Sequence, residues 1–226
     1  MPGIIVSRMP PPGASRFRKI LTAVVITVAA GSLLLFYYQS VRNYFKFAEI
    51  DFTSYLRASA WFFSAENPYQ EVTRRYLYPL FLLVVVYPFT LLQQGPLGKS
   101  VSISVWSLGA VATFLATMAA TWKHQFNLAS KRSALRANLL PAALLVLMLH
   151  PFLQDEFLNS QANLYVLGCI AAYFFFLERD RQFWATLFLA AAASIKVAPA
   201  LCLLYAVVSK QFRTPVYFVV LVVAFN

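Results

Sequence analysis

The chain has 226 residues, of which 60% are hydrophobic and 12% charged, and its formal net charge is +11. Soluble domains are typically about 45–50% apolar and about 25% charged, so this composition excludes a single core in water and predicts a membrane protein. The basic residues form short clusters between apolar runs. Such clusters are typical of cytoplasmic loops and of contact with anionic lipid, so we expect the lipid bilayer, and no nucleic acid, as a partner.

In chain order, residues 1–19 are rich in proline and end in a basic cluster. They predict a disordered cytoplasmic tail, because positive charge stays on the cytoplasmic side. Residues 20–39 are apolar over a length that can cross a bilayer and lack a convincing cleavage site, which predicts an uncleaved first span. We interpret residues 20–226 as one multi-pass transmembrane domain with a cytoplasmic N-terminus in the cytoplasmic (inner) membrane.

Residues 40–76 differ from the rest, because charged side chains alternate there with many aromatic ones. The aromatic residues recur near helical spacing, which predicts an amphipathic interfacial helix in the first outer loop. Asp51 lies within this stretch. A partly desolvated carboxylate at the interface can act as a general base, whereas the alternative interpretation is a solvated loop acid.

Apolar runs follow this loop, and their number predicts an all-α, polytopic transmembrane helical bundle with about six to seven apolar helical segments. The later runs cover residues 77–94, 101–122, 137–151, 162–177, 184–208 and 215–226. The last run stops after about twelve residues, whereas a span needs about 20. We therefore expect a longer protein that is truncated at the C-terminus.

The sidedness of these runs is constrained by two basic loops, 123–136 and 178–182. If every run crosses once, both loops lie outside, against the positive-inside rule. A broken or re-entrant run 77–94 places both loops in the cytoplasm and the polar loop 152–161 outside, on the side of Asp51. We prefer this second count. A hairpin in 184–208 with Lys196 near its tip would also bring the next basic loop inside.

Several polar residues interrupt the apolar pattern. Turn chemistry alone explains Asn67 and Tyr69, and Tyr78 before a proline. Gln161 and Asn163 open a predicted helix, where they either cap it or hold sugar hydroxyls. Lys196 lies inside an apolar run, so its charge needs a partner or a route to water. A lipid phosphate could be that partner. The alternative is that the side chain snorkels to the interface.

Metal and cofactor signals are weak. Cys169 and Cys202 both lie in apolar segments and suggest neither a disulfide nor a metal site. The sequence contains no phosphate-binding glycine loop, dinucleotide fingerprint or nucleophile elbow. We expect no cofactor, with a divalent metal ion left open.

Five short motifs occur in a particular order along residues 45–210: Asp51-Phe52-x-x-Tyr55, Asn67-Pro68-Tyr69, Tyr78-Pro79-Leu80, Ser160-Gln161-Ala162-Asn163 and Lys196-Val197-Ala198-Pro199. Together they resemble glycosyltransferase family 87. That family has Gly-x-Asn-Pro-Tyr, Tyr-Pro-Pro and Gly-Gln-x-Asn at the corresponding places. In this chain Glu66 stands near the first glycine position, Leu80 replaces the second proline and Ser160 replaces the later glycine.

The resemblance implies a GT-C fold and inverting transfer of a sugar, with mannose as the best single guess, from a polyprenyl-phosphate donor to a lipid or glycan acceptor. It implies that Asp51 is the general base and that Lys196, with Arg74 or Arg75, balances the donor phosphate. The other residues it assigns to donor or substrate binding are Asn67, Tyr69, Tyr78, His150, Gln161 and Asn163. The alternatives are a transporter or lipid flippase, and a non-catalytic membrane subunit.

Overall fold

The structure is a computed structural model that describes residues 12–46, 50–64, 80–93, 95, 97–125 and 143–225, with side chains omitted for 12–18 and 121–125. Every regular element in these ranges is helical, which confirms the predicted all-α class; no strand occurs in them. Five of the predicted site residues lie outside the described residues, namely Asn67, Tyr69, Arg74, Arg75 and Tyr78.

In chain order the helices are α1 (Pro12–Lys46), α2 (Asp51–Phe63), α3 (Leu80–Leu92), α4 (Gly98–Gln125), α5 (His150–Asn159), α6 (Asn163–Leu177), α7 (Gln182–Ala193), α8 (Leu203–Val208) and α9 (Arg213–Phe225). A short helical stretch, 143–148, leads into α5. A 3₁₀ turn, Ala198–Cys202, precedes α8.

Helix α1 extends beyond the predicted span at both ends. It begins at Pro12, a residue that is favourable in the first turn of a helix because its missing N–H would have no partner there. The predicted tail 1–19 therefore includes helical residues, and the predicted outer loop begins later than residue 40. No proline interrupts the sequence between Pro12 and Lys46, so the helix continues.

Two helical segments are long and apolar enough to cross a bilayer, Lys19–Lys46 and Gly98–Ala120. Helices α5 and α6 are bent by 118° at their junction and together form a third candidate. The shorter apolar helices, which include the combined stretch Ala198–Val208, reach at most 13 residues, or about 20 Å, against a hydrocarbon core of about 30 Å. The predicted bundle is thus confirmed as a helical assembly with two to three candidate spans in the described part.

The surface of α1 is apolar. Only 11% of its most hydrophobic window is buried, and Leu34 is 70% exposed. Soluble proteins rarely expose large contiguous apolar patches, because such patches favour association or a membrane. The exposed side of α1 is therefore suited to contact with lipid.

Helix α4 lies at the centre of the assembly and contacts α1, α3 and α6. Helix α6 packs in turn on α7, and α7 packs on α9. Helix α5 packs on α1, whereas α2 packs on α3. The beginning of α6 and the end of α1 are consequently both held beside α4.

Glycines allow α4 and α6 to approach closely. A Cβ atom on Gly109 would lie 2.5 Å from the Tyr165 hydroxyl, and one on Gly168 would lie 2.3 Å from the Thr113 methyl group. Small residues at such crossings are typical of membrane helix pairs, since they let the two backbones come together. We call this contact the glycine seam, defined by Gly109 and Gly168.

Gly98 joins α3 to α4 through a tight turn, and a Cβ atom there would lie 1.7 Å from the Leu92 carbonyl oxygen. Because the obstacle is backbone, Gly98→Ala is expected to destabilise the fold by about 3 kcal/mol. Gly31→Ala is the matched control, since nothing lies within 4 Å of a Cβ atom there. Melting midpoints of the purified variants in detergent would measure both effects. Equal midpoints for the two variants would contradict the packing at Gly98.

Two predicted features of the chain need correction or refinement. Residues 152–161 were interpreted as a polar loop, but α5 continues to Asn159, because Leu153 and Phe157 supply a buried face at helical spacing. The run 184–208 is interrupted between α7 and the 3₁₀ turn, and Lys196 lies in this break. The break occurs where a hairpin was predicted, while the sidedness of the flanking segments stays a prediction.

Candidate functional site

The junction of α5 and α6 is a sharp turn that carries polar side chains. Helix α5 ends in a Schellman motif: Gln161 N–H bonds to the Glu156 carbonyl, and Ser160 N–H bonds to the Phe157 carbonyl. Ser160 adopts the left-handed conformation that this motif requires, with φ 49°. We call the turn the polar elbow, defined by Glu156, Ser160, Gln161 and Asn163.

Glu156 organises the polar elbow from the buried face of α5, where its side chain is only 3% exposed. Its carboxylate accepts a hydrogen bond from Asn163 Nδ2 at 2.7 Å and another from Leu164 N–H at 3.2 Å. A carboxylate is favoured at this place, because the first N–H groups of a helix lack intrahelical acceptors and carry partial positive charge.

These contacts exclude one of the two alternatives for Gln161 and Asn163, namely that they cap α6. The N-cap residue is Ala162, and no side chain at that position bonds to the helix. Asn163 is instead the first helical residue, and Glu156 supplies the acceptor for the helix start. The side chains of Gln161 and Asn163 therefore do not cap α6.

The two predicted amides lie together in the polar elbow. Asn163 Nδ2 donates to Gln161 Oε1 at 2.6 Å as well as to Glu156. Both protons of the Asn163 amide are thus engaged. The Gln161 NH2 group is bonded to no other described residue, so it is the donor in the polar elbow that can serve a ligand oxygen.

Three buried serines connect the polar elbow to α1 and α4. The Ser40 hydroxyl lies 2.8 Å from that of Ser107 and 2.9 Å from that of Ser160. All three side chains are at most 3% exposed. Buried hydroxyls that satisfy each other in this way fix the relative position of the helices that carry them.

Ser160 combines an unfavourable backbone conformation with a favourable side-chain bond. Ser160→Ala removes the bond to Ser40 and keeps a Cβ atom in the left-handed conformation, whereas Ser160→Gly removes the same bond and relieves the backbone. The Gly variant is therefore expected to be more stable than the Ala variant by about 1–2 kcal/mol. Thermal unfolding of both purified variants would measure the difference. Equal midpoints would show that Ser160 is not held in this conformation.

An aromatic stack joins α2 to the polar elbow. Phe52 is fully buried and stacks on Trp106 with ring centroids 4.8 Å apart. The Trp106 indole N–H donates to the Ser160 carbonyl at 3.1 Å. Because Phe52 follows Asp51 directly, the Trp106 indole connects the start of α2 to the polar elbow.

Asp51 is the first residue of α2 and is half-buried. The N-cap residue is Ile50, whose side chain cannot cap the helix, so the acid in the first turn interacts with the positive end of the helix. The sequence prediction of an aromatic, one-sided helix after the first span corresponds to α2. Its inner face carries Phe52, Tyr55 and Ser59.

Lys196 lies in the interruption after α7 and is half-buried. The preceding Ile195 belongs to the same buried cluster as Phe52, Trp106 and Ala162, the residue between Gln161 and Asn163. Lys196 is close enough to Glu156 for their charges to interact.

His150 lies apart from the polar elbow. It begins α5, whereas the polar elbow lies at the opposite end of that helix, about 15 Å away along its axis. The His150 ring packs on Phe36 of α1 with centroids 4.8 Å apart. Chain neighbours of Asp51, Gln161, Asn163 and Lys196 belong to one buried cluster, whereas His150 packs on Phe36 at the other end of α5.

Glu156 was missed by sequence reasoning as a site residue. It follows Gln154 and Asp155, so it was interpreted as part of a hydrophilic loop. The usable signal was its spacing, because Leu153, Glu156, Phe157 and Ser160 repeat at three and four residues and so share a helix face. An acid on such an apolar face predicts a buried carboxylate with a dedicated partner. Within the described ranges, no three His, Cys, Asp or Glu residues converge as a metal site would require.

The apolar exposed helices and the polar turn in a broken helix define a helical membrane protein with an internal polar site. Residues 76–226 match the family model of glycosyltransferase family 87. The chain therefore belongs to this family, and it is a membrane glycosyltransferase by class. The match includes α3 to α9 with the polar elbow and Lys196, whereas Asp51 precedes it. Comparison with curated proteins and with solved structures gives no match.

Proposed function

We propose that this chain is a GT-C-type transferase that moves a sugar, with mannose as the best single guess, from a polyprenyl-phosphate donor to a lipid or glycan acceptor. The reaction takes place on the outer side of the cytoplasmic membrane and inverts the anomeric centre. Membership of family 87 supports the class of enzyme. The donor, the acceptor and the residue roles are our proposal.

The observation that carries the proposal is the convergence of distant segments on one buried cluster. Phe52 next to Asp51, Ala162 within the polar elbow and Ile195 next to Lys196 all belong to it. A general base, neutral hydrogen-bond donors and a cation are the groups that a lipid-phosphate sugar requires.

In the proposed reaction the Asp51 carboxylate removes the proton from the acceptor hydroxyl. The hydroxyl oxygen then attacks the anomeric carbon from the side opposite the phosphate, and the bond between that carbon and the phosphate oxygen breaks. The electron pair leaves with the polyprenyl phosphate, whose charge Lys196 balances. The Gln161 amide N–H group donates to a sugar hydroxyl and orients the ring.

Glu156 has a positioning role in this proposal. Its carboxylate holds the Asn163 side chain and the start of α6. Glu156 itself contacts protein groups and is not assigned to the reacting atoms.

One observation favours a second candidate, a lipid flippase or transporter, because the 118° bend between α5 and α6 resembles the broken helices of membrane transporters. Membranes containing the chain, incubated with radiolabelled polyprenyl-phosphate mannose and extracted glycolipid acceptors, would separate the two. Label in a new lipid or polymer supports the transferase. Label that only changes leaflet supports the flippase and contradicts the transferase.

A further inference from the structure

A second polar recess lies on the other side of α2 from Asp51. It is an open cleft of about 380 Å³ between the end of α1, α2, and the turn that joins α3 to α4. Two cations line it, Arg57 of α2 and Lys99 of α4, and its lining contains no acidic residue. Both side chains are exposed, and neither has an ion-pair partner in the part of the chain that the structure describes.

The cleft is separate from the proposed catalytic site. Arg57 follows Asp51 by six residues, which places the two side chains about 120° apart around α2. The α2 residues that line the cleft, Thr53, Leu56, Arg57 and Ala60, together occupy the face of the helix opposite Asp51. A ligand in the cleft would therefore lie on the other side of α2 from Asp51.

The hydrogen bonds within the cleft leave a donor for an anion. The Gln93 side chain donates to the Tyr44 hydroxyl, and both residues line the cleft. The hydroxyl is thereby used as an acceptor, so its own proton is available to a further oxygen. Thr90 differs, since its hydroxyl donates to the Leu56 carbonyl at 3.4 Å and so does not offer that proton to a ligand.

The rest of the cleft is apolar. Phe45 and Leu56 form part of its wall, and Phe45 is 56% exposed. Leu92 and Leu97, which flank the lining residues Gln93 and Lys99 in the sequence, are 45% and 73% exposed. Two cations beside a hydroxyl donor, bordered by exposed apolar side chains, suit a phosphate that is attached to hydrocarbon chains.

We propose that this cleft binds the phosphate headgroup of an anionic membrane phospholipid. Arg57 and Lys99 contact the phosphate oxygens from two different helices, and the Tyr44 hydroxyl donates a third hydrogen bond. The acyl chains lie against Phe45 and the exposed leucines. The bound lipid thus connects α2 to the start of α4. None of the residues assigned to the lipid site takes part in the proposed transferase chemistry.

The test measures lipid retention by the purified full chain with native mass spectrometry. The chain is delipidated in detergent and titrated with phosphatidylglycerol or with phosphatidylcholine. The double variant Arg57→Gln with Lys99→Gln is expected to bind phosphatidylglycerol about 20–30-fold more weakly, because each basic residue near anionic lipid contributes about fivefold. Unchanged affinity for phosphatidylglycerol in that variant would overturn the proposal.

The matched control carries Lys210→Gln and Arg213→Gln, which remove two exposed cations from another part of the surface. This control is expected to retain the wild-type affinity for phosphatidylglycerol. An equal loss of affinity in the control would show that general surface charge causes the binding and would refute the proposed site. The variant Arg57→Lys with Lys99→Arg should retain most of the binding. If the neutral double variant fails to fold, each single variant is expected to lose about fivefold.

Competition with inorganic phosphate distinguishes a site for a lipid headgroup from a site for free phosphate. If the apolar wall contributes, millimolar phosphate leaves phosphatidylglycerol bound, as the proposal expects. Full displacement by phosphate at that concentration would show a site for a free anion and would overturn the lipid assignment.

Discussion

Replacement of Asp51 by Asn is expected to lower the rate of sugar transfer by about 10²–10⁴-fold, since a positioned general base contributes about that much. The side chain keeps its size but can no longer accept a proton from the acceptor hydroxyl. The stability of the protein should change little, because Asp51 is half-buried at the start of α2 and the buried residues that anchor this helix, among them Phe52 and Tyr55, are unchanged. The measurement is transfer of radiolabel from polyprenyl-phosphate mannose by the purified variant.

Asp180→Asn is the matched control for this experiment. It makes the same chemical change at an exposed position after α6 where the backbone is left-handed, with φ 55°, a conformation that Asn accepts readily. Wild-type transfer is expected in this control. Full activity of the Asp51→Asn variant would remove Asp51 from the chemistry, whatever the control shows.

Glu156→Gln is expected to lower kcat/KM for the donor by about 10²-fold, since small displacements of positioned groups cost rates of that order. A glutamine amide has only one acceptor oxygen, whereas the carboxylate serves Asn163 Nδ2 and Leu164 N–H together. One N–H group is then left without an acceptor, which also destabilises the fold by about 1–3 kcal/mol. Steady-state kinetics and thermal unfolding of the same preparation measure both effects.

The kinetic part of this prediction separates positioning from simple destabilisation. At a temperature where the variant is folded, a positioning role raises the KM for the donor or lowers kcat, whereas a purely structural role leaves both at wild-type values. Glu178→Gln, an exposed exchange of the same kind, should leave both kinetic parameters unchanged. Unaltered kinetics in Glu156→Gln would assign Glu156 to stability alone.

The sequence predicted the helices well because hydrophobic runs of sufficient length leave few alternatives in lipid. It also selected Gln161, Asn163 and Lys196 as candidate site residues, since an uncharged amide at a helix start or a cation in an apolar run contrasts with its neighbours, and their roles stay predictions. The break at Lys196 followed from the same contrast. Each of these signals is local, because the contrast is visible within a single segment of the chain.

Features that depend on packing between distant segments could not be predicted from such local sequence signals. Trp106 looked like any other apolar residue of a span, although its indole N–H joins α4 to the Ser160 carbonyl. Arg57 and Lys99 are 42 positions apart and meet only because α2 packs beside the turn before α4. His150, which the resemblance assigns to donor or substrate binding, begins α5, whereas Gln161 follows the end of that helix.

The glycine seam has a consequence for motion during turnover. The side chains of Tyr165 and Thr113 fill the space beside Gly109 and Gly168, and the Tyr165 hydroxyl donates to the Trp106 carbonyl, so α4 and α6 are closely joined at this crossing. We therefore expect any movement that admits a substrate to involve α2 or the segment around Lys196, while the polar elbow keeps its position beside α4.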